Sequence, residues 1–248
     1  MDHIVRQAVA RAIETMQGNL GEHLTVDDLA RAAMFSKFHF TRIFLRATGL
    51  SPGRFLSALR LAEAKRLLAT TASSVTEISY QVGYNSVGTF SARFSGSVGL
   101  SPTGFRRRRG RPDRLPERGE TPECTGTVRG RVSFPPVRQR GPVFVGLFPA
   151  RIAEGAPARY AVLPGGLGSY ALTGVPEGSW YVIACAYGVF DECGPRALTG
   201  LSGPVTVQPE VTAHLADVGL RPRHRFDPPV LLALPELTPA PAHRAIAV

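Results

Sequence analysis

The sequence predicts a multidomain α plus β chain, all-α over its first hundred or so residues and all-β beyond them. A unit of about fifty residues occurs twice before residue 106, with apolar residues at helical spacing. From Val128 onward the apolar residues alternate with polar ones at period two, and Gly and Pro turns separate the runs. Charge divides in the same place: residues 1–111 hold 16 Lys and Arg against 7 Asp and Glu, whereas residues 112–248 hold 13 against 12. Nearly all of the formal charge of +10 therefore lies in the helical part, and a polyanionic partner is expected for that part alone.

The first helix is predicted over residues 4–17, where Val5, Val9, Ala12, Ile13 and Met16 recur on one face before Gly18. Thr25 reads as the N-cap of a second helix with Asp27 and Asp28 in its first turn, where carboxylates suit the positive helix end. A break at Met34-Phe35 leads to Ser36, the cap of a third helix that Gly49 stops after Thr48. Pro52 opens a long helix to about Ala69, with Phe55, Leu59, Ala62, Leu67 and Leu68 expected along one side. The second copy then follows. Ser36…Phe40…Phe44 and Gly49-Leu50-Ser51-Pro52…Phe55 are matched by Ser86…Phe90…Phe94 and Gly99-Leu100-Ser101-Pro102…Phe105. Upstream, Val26, Asp28, Leu29, Ala33 and Phe35 pair with Val75, Glu77, Ile78, Val82 and Tyr84.

Each copy is a helix, a short turn and a second helix, about 25–48 and 74–97, which is the helix-turn-helix unit. Projected at 100° per residue, Phe40, Ile43, Phe44 and Ala47 face a core. Phe38, Arg42 and Leu45 face the other way, flanked by Lys37, Thr41 and Arg46. The chemistry of the N-terminal members suits base edges in a major groove: a guanidinium for guanine, a hydroxyl for a hydrogen bond or a methyl contact, and an aromatic ring for a thymine methyl. In the second copy the outward positions are Val87, Gly88, Ser91, Ala92 and Ser95, with Arg93 towards the flank.

Leu29-Ala30-Arg31-Ala32-Ala33, Ser36 through Phe44, Gly49-Leu50-Ser51-Pro52, Arg60-Leu61, Glu77-Ile78, Val82-Gly83-Tyr84 and Gly99-Leu100-Ser101-Pro102…Phe105-Arg106 together resemble the AraC/XylS family of bacterial transcription regulators over about residues 4–108. The resemblance implies a homeodomain-like double helix-turn-helix domain at 1–108 joined by a linker helix at about 52–69. Its two recognition helices would enter successive major-groove segments of double-stranded DNA about 34 Å apart. The family's base-reading positions in the first unit match Phe38, Thr41 and Arg42. With the outward faces of the projection, the expected DNA-binding set is Lys37, Phe38, Thr41, Arg42 and Arg46 in the first unit and Ser86, Val87, Ser91 and Arg93 in the second, with Ser36, Arg106 and Arg107 on phosphates. This chain departs from the family pattern where an Arg is usual: Ala92 stands there and Arg93 follows it. The first unit is therefore expected to supply most sequence specificity, and the second to dock through backbone and shape. Arg106–Arg109 with Arg111 is read either as a phosphate-neutralising or minor-groove arm or as the solvated start of a linker.

Residues 109–123 are rich in Arg, Pro, Glu and Gly and read as a linker. Beyond it, strands are expected at Val128–Phe134, Val143–Phe148, Arg159–Leu163, Ser169–Leu172, Trp180–Tyr187, Val205–Val207 and Thr212–Val218, forming an all-β Ig-like or prealbumin-like sandwich over 124–228. Ser169 through Ala184, with its Val175-Pro176-Glu177-Gly178 turn, is similar to a hairpin of carboxypeptidase-regulatory-like and transthyretin-like sandwiches. Residues 229–248 read as a Pro-, Ala- and Leu-rich tail without an assigned place.

Neither a cofactor nor a metal is expected. Cys185 and Cys193 flank Asp191 and Glu192 at a spacing that matches no standard metal site. An alkyl-transfer role would need a cysteine cluster ahead of the helix-turn-helix, and residues 1–123 contain no Cys. The N-terminus lacks an apolar signal core, no run approaches a membrane span, and three cysteines make no disulfide framework, so a cytoplasmic, nucleoid-associated protein is expected. Three readings follow. The first is a regulator whose β-sandwich senses a small molecule, with RNA polymerase as a possible partner. The second is a constitutive regulator whose sandwich self-associates or contacts a protein. The third is an enzyme with an accessory DNA-binding half, which the absence of any catalytic set disfavours.

Overall fold

The computed structural model describes residues 2–112, 125–165, 168–191, 194–208 and 213–234. They form two compact units. The helical unit holds α1 (His3–Gly18), α2 (Val26–Ala33), α3 (Lys37–Thr48), α4 (Pro52–Thr70), α5 (Val75–Gln81), α6 (Val87–Val98) and α7 (Pro102–Arg107).

The internal repeat is a repeat of caps and of core. The Thr25 hydroxyl accepts from the Asp28 amide at 3.2 Å while the Asp28 carboxylate accepts from the Thr25 amide at 2.9 Å. Ser74 and Glu77 make the same reciprocal pair at 3.1 and 2.7 Å, so α2 and α5 both start in capping boxes. Gly49 and Gly99 close α3 and α6 at φ 79° and 84°, a left-handed conformation that a side chain would strain. In the first copy Phe40 lies 5.5 Å from Phe44, which meets Phe55 edge-on at 5.4 Å. The second copy repeats the arrangement with Phe90, Phe94 and Phe105 at 5.6 and 5.7 Å. These offset geometries add to what burial alone contributes.

Cap hydrogen bonds hold the carboxyls of Asp28 and Glu77 below the ordinary carboxylate range, Asp28 chiefly through the Thr25 hydroxyl and Glu77 chiefly through the Ser74 amide. A depressed folded-state value means the contribution is present above the unfolded value and is lost as pH falls through the folded one. Helical melting should therefore be flat from neutrality to about pH 5 and drop below about pH 4. The Asp28→Asn/Glu77→Gln variant should show a shallower acid drop by circular dichroism.

α4 departs from the expected single stripe. Phe55, Leu56, Ala58, Leu61, Ala64, Leu67 and Leu68 are buried, whereas Leu59 and Ala62 are only half-buried. The cause is that α4 packs against five helices, α1, α2, α3, α5 and α7, so its apolar residues surround most of the axis.

Packing shifts the expected boundaries at 109 and 229, while the one at 124 adjoins residues outside the described ones. Residues 109–112 belong to the helical unit: after α7, the amides of Arg108, Arg109, Gly110 and Arg111 bond back to carbonyls of residues 104–108. Ala150–Ala156 and Arg223–Ala233, expected in the sandwich and the tail, also belong to it. Ile152, Phe226, Leu231 and Ala233 join the core that contains the six repeated phenylalanines. The Leu231 amide bonds the Ala153 carbonyl at 2.9 Å, and the Ala233 amide bonds Val98, the last residue of α6, at 3.0 Å. Lys65 of α4 donates to the carbonyls of Val230, Leu231 and Leu232 at 3.1, 2.8 and 3.2 Å. Glu154 pairs with Arg54 at the start of α4 and accepts from Ser97 of α6 at 3.4 Å. Residues 113–124 of the linker and 235–248 of the tail lie outside the described residues.

The β unit contains β1 (Thr125–Ser133), β2 (Val143–Phe148), β3 (Tyr160–Leu163), β4 (Gly168–Pro176), β5 (Gly178–Asp191), β6 (Gly194–Val207), β7 (Ala213–Leu215), β8 (Val218–Gly219) and β9 (Arg221–Pro222). One sheet runs β4-β1-β7 with β8 also on β1, and the other runs β3-β2-β5-β6-β9. Val128, Val132, Tyr170, Leu172 and Val175 from the first share one core with Val143, Val145, Leu147, Trp180, Val182 and Ala184 from the second. The buried Tyr170 hydroxyl donates to the Ala216 carbonyl, and burial raises its pKa.

The expected hairpin at 169–184 is instead a corner. β4 pairs with β1, while β5 pairs with β2 and β6, so the Pro176-Glu177-Gly178 turn carries the chain from one sheet to the other. Val175 and Trp180 on either side of the turn are both buried, and the Trp180 indole bonds Pro176 at 2.9 Å. Turning both strands inward satisfies the two apolar faces at once.

Candidate nucleic-acid interface

α3 is positioned by its buried face: Phe40 and Phe44 are fully enclosed and Ile43 is buried, which turns residues 38, 42, 45 and 46 outward. Phe38 is 92 % exposed, an apolar ring standing in water on the first turn of a helix. Arg42, one helical turn on, is exposed and has no hydrogen-bond or ion-pair partner among the described residues. The Thr41 hydroxyl donates to the Lys37 carbonyl at 2.8 Å, so it offers an acceptor and a methyl to a partner. Lys37 is exposed and paired with Asp27 of α2 at 2.8 Å. Arg46 is exposed in the last turn.

Ser36 stands at the N-cap position of α3 but makes no side-chain capping bond, in contrast to Ser51, Ser74, Ser86 and Ser101. The first amides of α3 thus lack the side-chain acceptor that the other helices have, which favours an anion there.

α6 is positioned by Phe90 and Phe94 in the same way, yet its outward face is different in kind. Ser86 is tied to the Thr89 amide at 3.3 Å. Val87 and Ser91 are half-buried, while Gly88, Ala92 and Arg93 are exposed. Among these only Ser91 can hydrogen-bond a base edge from the middle of the face. The sequence reading missed Asn85 and Thr89, which are exposed beside Ser86 and carry polar groups. Their position at a helix start was the available signal.

Arg106 is corrected as a phosphate contact. Its guanidinium donates to the Leu68 carbonyl in the last turn of α4 at 3.3 Å and to the Ser73 carbonyl in the connection to α5 at 2.6 Å. Arg107, the neighbouring residue, is exposed. Arg106→Ala should lower the stability of the helical unit by about 1–3 kcal/mol, as expected for hydrogen bonds to a charged group. It should leave the salt slope of DNA binding unchanged, whereas Arg107→Ala should reduce that slope by about one. A titration of affinity against salt, run beside thermal melts, separates the two.

A groove of about 550 Å³ beside α1 is lined by Arg6, Arg11, Glu14, Arg225 and their neighbours. Arg11 bonds the Ala32 and Ala33 carbonyls and Arg225 pairs with Glu14, so two of its three guanidinium groups serve the fold. Among the described residues, no three His, Cys, Asp or Glu side chains gather where they could hold a metal. Cys185 is buried, and Cys193 lies outside the described residues. Nor, among the described residues, is any helix long and apolar enough to cross a membrane.

Residues 29–108 match the family model described as a helix-turn-helix domain. The chain is similar to the transcriptional activator AarP of Providencia stuartii, at 30 % identity over 98 residues, which are 40 % of this chain and 73 % of that protein. It is also similar to the lactose operon transcription activator of Staphylococcus xylosus, at 30 % identity over 103 residues, 42 % of this chain and 37 % of that one. The chain thus spans about a third of one relative's length and about three quarters of the other's. Among solved structures, a transcriptional regulator with an AraC-type DNA-binding domain from Chromobacterium violaceum aligns at 28 % identity and a TM-score of 0.41, covering 43 % of this chain and 96 % of that one. With its duplicated helix-turn-helix and a relative such as AarP covered over most of its length, the chain belongs to the AraC-type helix-turn-helix transcriptional regulators, a family of DNA-binding proteins.

Proposed function

We propose that the chain regulates transcription by placing α3 and α6 in two successive major-groove segments of one face of double-stranded DNA, with α3 supplying most of the sequence readout. The observation that carries this reading is the contrast between two equivalent helices. α3 presents an exposed Phe38 and an unpartnered Arg42, whereas α6 presents Gly88, Ser91 and Ala92. Phe38, Thr41 and Arg42 read bases; Lys37, Arg46, Ser86, Val87, Ser91 and Arg93 complete the interface; Ser36 and Arg107 meet phosphates. Selection of bound sites from random DNA with the full chain tests it. The expected result is one strongly specified segment and a weakly specified one a helical turn away, and two equally specified segments would sink the asymmetry.

The β unit serves as an effector-sensing or interaction domain of the prealbumin-like kind. Its two sheets with a shared core support that fold, and Leu215 on edge strand β7, 85 % exposed, favours the interaction role. Thermal shifts across a metabolite panel, read with light-scattering mass, distinguish the roles: a raised melting temperature marks an effector, and a concentration-dependent dimer marks self-association.

A further inference from the structure

We infer that Phe38 makes this protein a reader of the pyrimidine C5 methyl group, so that it responds to thymine and to 5-methylcytosine in the same way. The inference rests on the proposed placement of α3 in a major groove. Phe38 is 92 % exposed, more than any other large hydrophobic residue of the described chain. Nothing in the unit covers it, while its neighbour Phe40 is fully buried. A ring so placed has no role in the core, and water is a poor solvent for it.

The polar groups beside it narrow what the ring can meet. Thr41 has its hydroxyl proton committed to the Lys37 carbonyl, so the side chain turns towards a partner without a free donor. Lys37 is paired with Asp27. Arg42 has no hydrogen-bond or ion-pair partner among the described residues, and its guanidinium matches the O6 and N7 pair of guanine. Phe38 and Arg42 are four residues apart, about 6 Å along the helix at 1.5 Å per residue. Base pairs rise about 3.4 Å each, so the ring falls within two steps of the base that Arg42 holds.

In the major groove the apolar feature available within that distance is the methyl at pyrimidine C5. Thymine carries it by default, cytosine only when methylated at C5, and the surrounding donor and acceptor patterns of the two pairs differ. A ring that senses the methyl is indifferent to that difference. The site therefore consists of a guanine for Arg42 and a 5-methylpyrimidine for Phe38 within two steps of it. Cytosine methylation at that step would raise affinity for a site that otherwise lacks a thymine there.

The test uses the full chain and the site it selects from random DNA. Each thymine of the α3 segment is replaced in turn by deoxyuridine, which removes only the methyl. One position should weaken binding about fourfold, the value of one buried methyl-sized group. At that position a C·G pair carrying 5-methylcytosine should bind about fourfold more tightly than the unmethylated pair. Phe38→Ala should abolish both differences, and Phe38→Leu should keep them in part. The inference is overturned if deoxyuridine is tolerated everywhere by the wild-type chain. It is equally overturned if Phe38→Ala weakens thymine and deoxyuridine sites alike, which marks the ring as a wedge or a nonspecific contact. Failure to select any site is a different result, and it would remove the DNA-reading proposal itself.

Discussion

Leu231→Ala should destabilise the helical unit by about 2–5 kcal/mol, although the residue lies more than a hundred positions beyond its last helix. Leu231 is fully buried in the core that holds the phenylalanines of both copies. Its backbone is fixed as firmly as its side chain, with the amide on Ala153 and the carbonyl on Lys65. Truncation removes transfer energy and leaves a cavity that the bonded backbone cannot close. Among the described residues every α-helix lies in this unit, so far-UV circular dichroism follows its unfolding. The single tryptophan of the sequence, Trp180, lies in the β unit and reports on that unit by fluorescence. A dichroism transition moved by less than about 0.5 kcal/mol, the range of an ordinary surface substitution, would show that Arg223–Ala233 is not part of the helical core.

That expectation also marks the limit of what this chain declares locally. Caps and turns are short-range properties. Thr25 with Asp28 and Gly49 before Leu50-Ser51-Pro52 announced their helices because each acts within one turn of the backbone. The exposed ring of Phe38 was legible too, since a helical projection follows once the caps set the register. Which core a segment joins is a long-range property. Val230-Leu231-Leu232-Ala233 reads as apolar wherever it goes, and nothing in it names α4 as its partner. The same holds for the turn after Pro176, where strand patterns were clear but pairing was not, because sheet partners are chosen by distant strands. Arginine was the least legible residue. Arg106 and Arg107 are adjacent and chemically identical, yet one bonds the Leu68 and Ser73 carbonyls and the other faces water. A long side chain carries its charge too far from the backbone for sequence position to decide.

Arg42→Ala should weaken specific DNA binding by about 1–3 kcal/mol, roughly 5- to 150-fold, and relax preference at one guanine. Ser91→Ala, at the place on α6 that Thr41 holds on α3, should cost about 0.5–1.5 kcal/mol, the value of a neutral hydrogen bond. Arg93→Ala should weaken all sequences alike and reduce the salt slope by about one, as a phosphate contact does. The reason for the inequality lies in what each helix has available. α3 offers a charged planar donor and a ring on adjacent turns, both held out by the buried face of Phe40, Ile43 and Phe44. On its outward face α6 has the exposed Gly88 and Ala92, and neither carries a side chain that can hydrogen-bond a base edge. Gly88 and Gly96 also weaken α6 by about 1 kcal/mol each relative to alanine, which suits a helix that adapts to groove shape better than one that enforces a base. Sites selected by the two variants decide the matter. If Ser91→Ala broadens its segment as much as Arg42→Ala broadens the other, the two copies read DNA equally, and the divergence of their outward faces has no bearing on specificity.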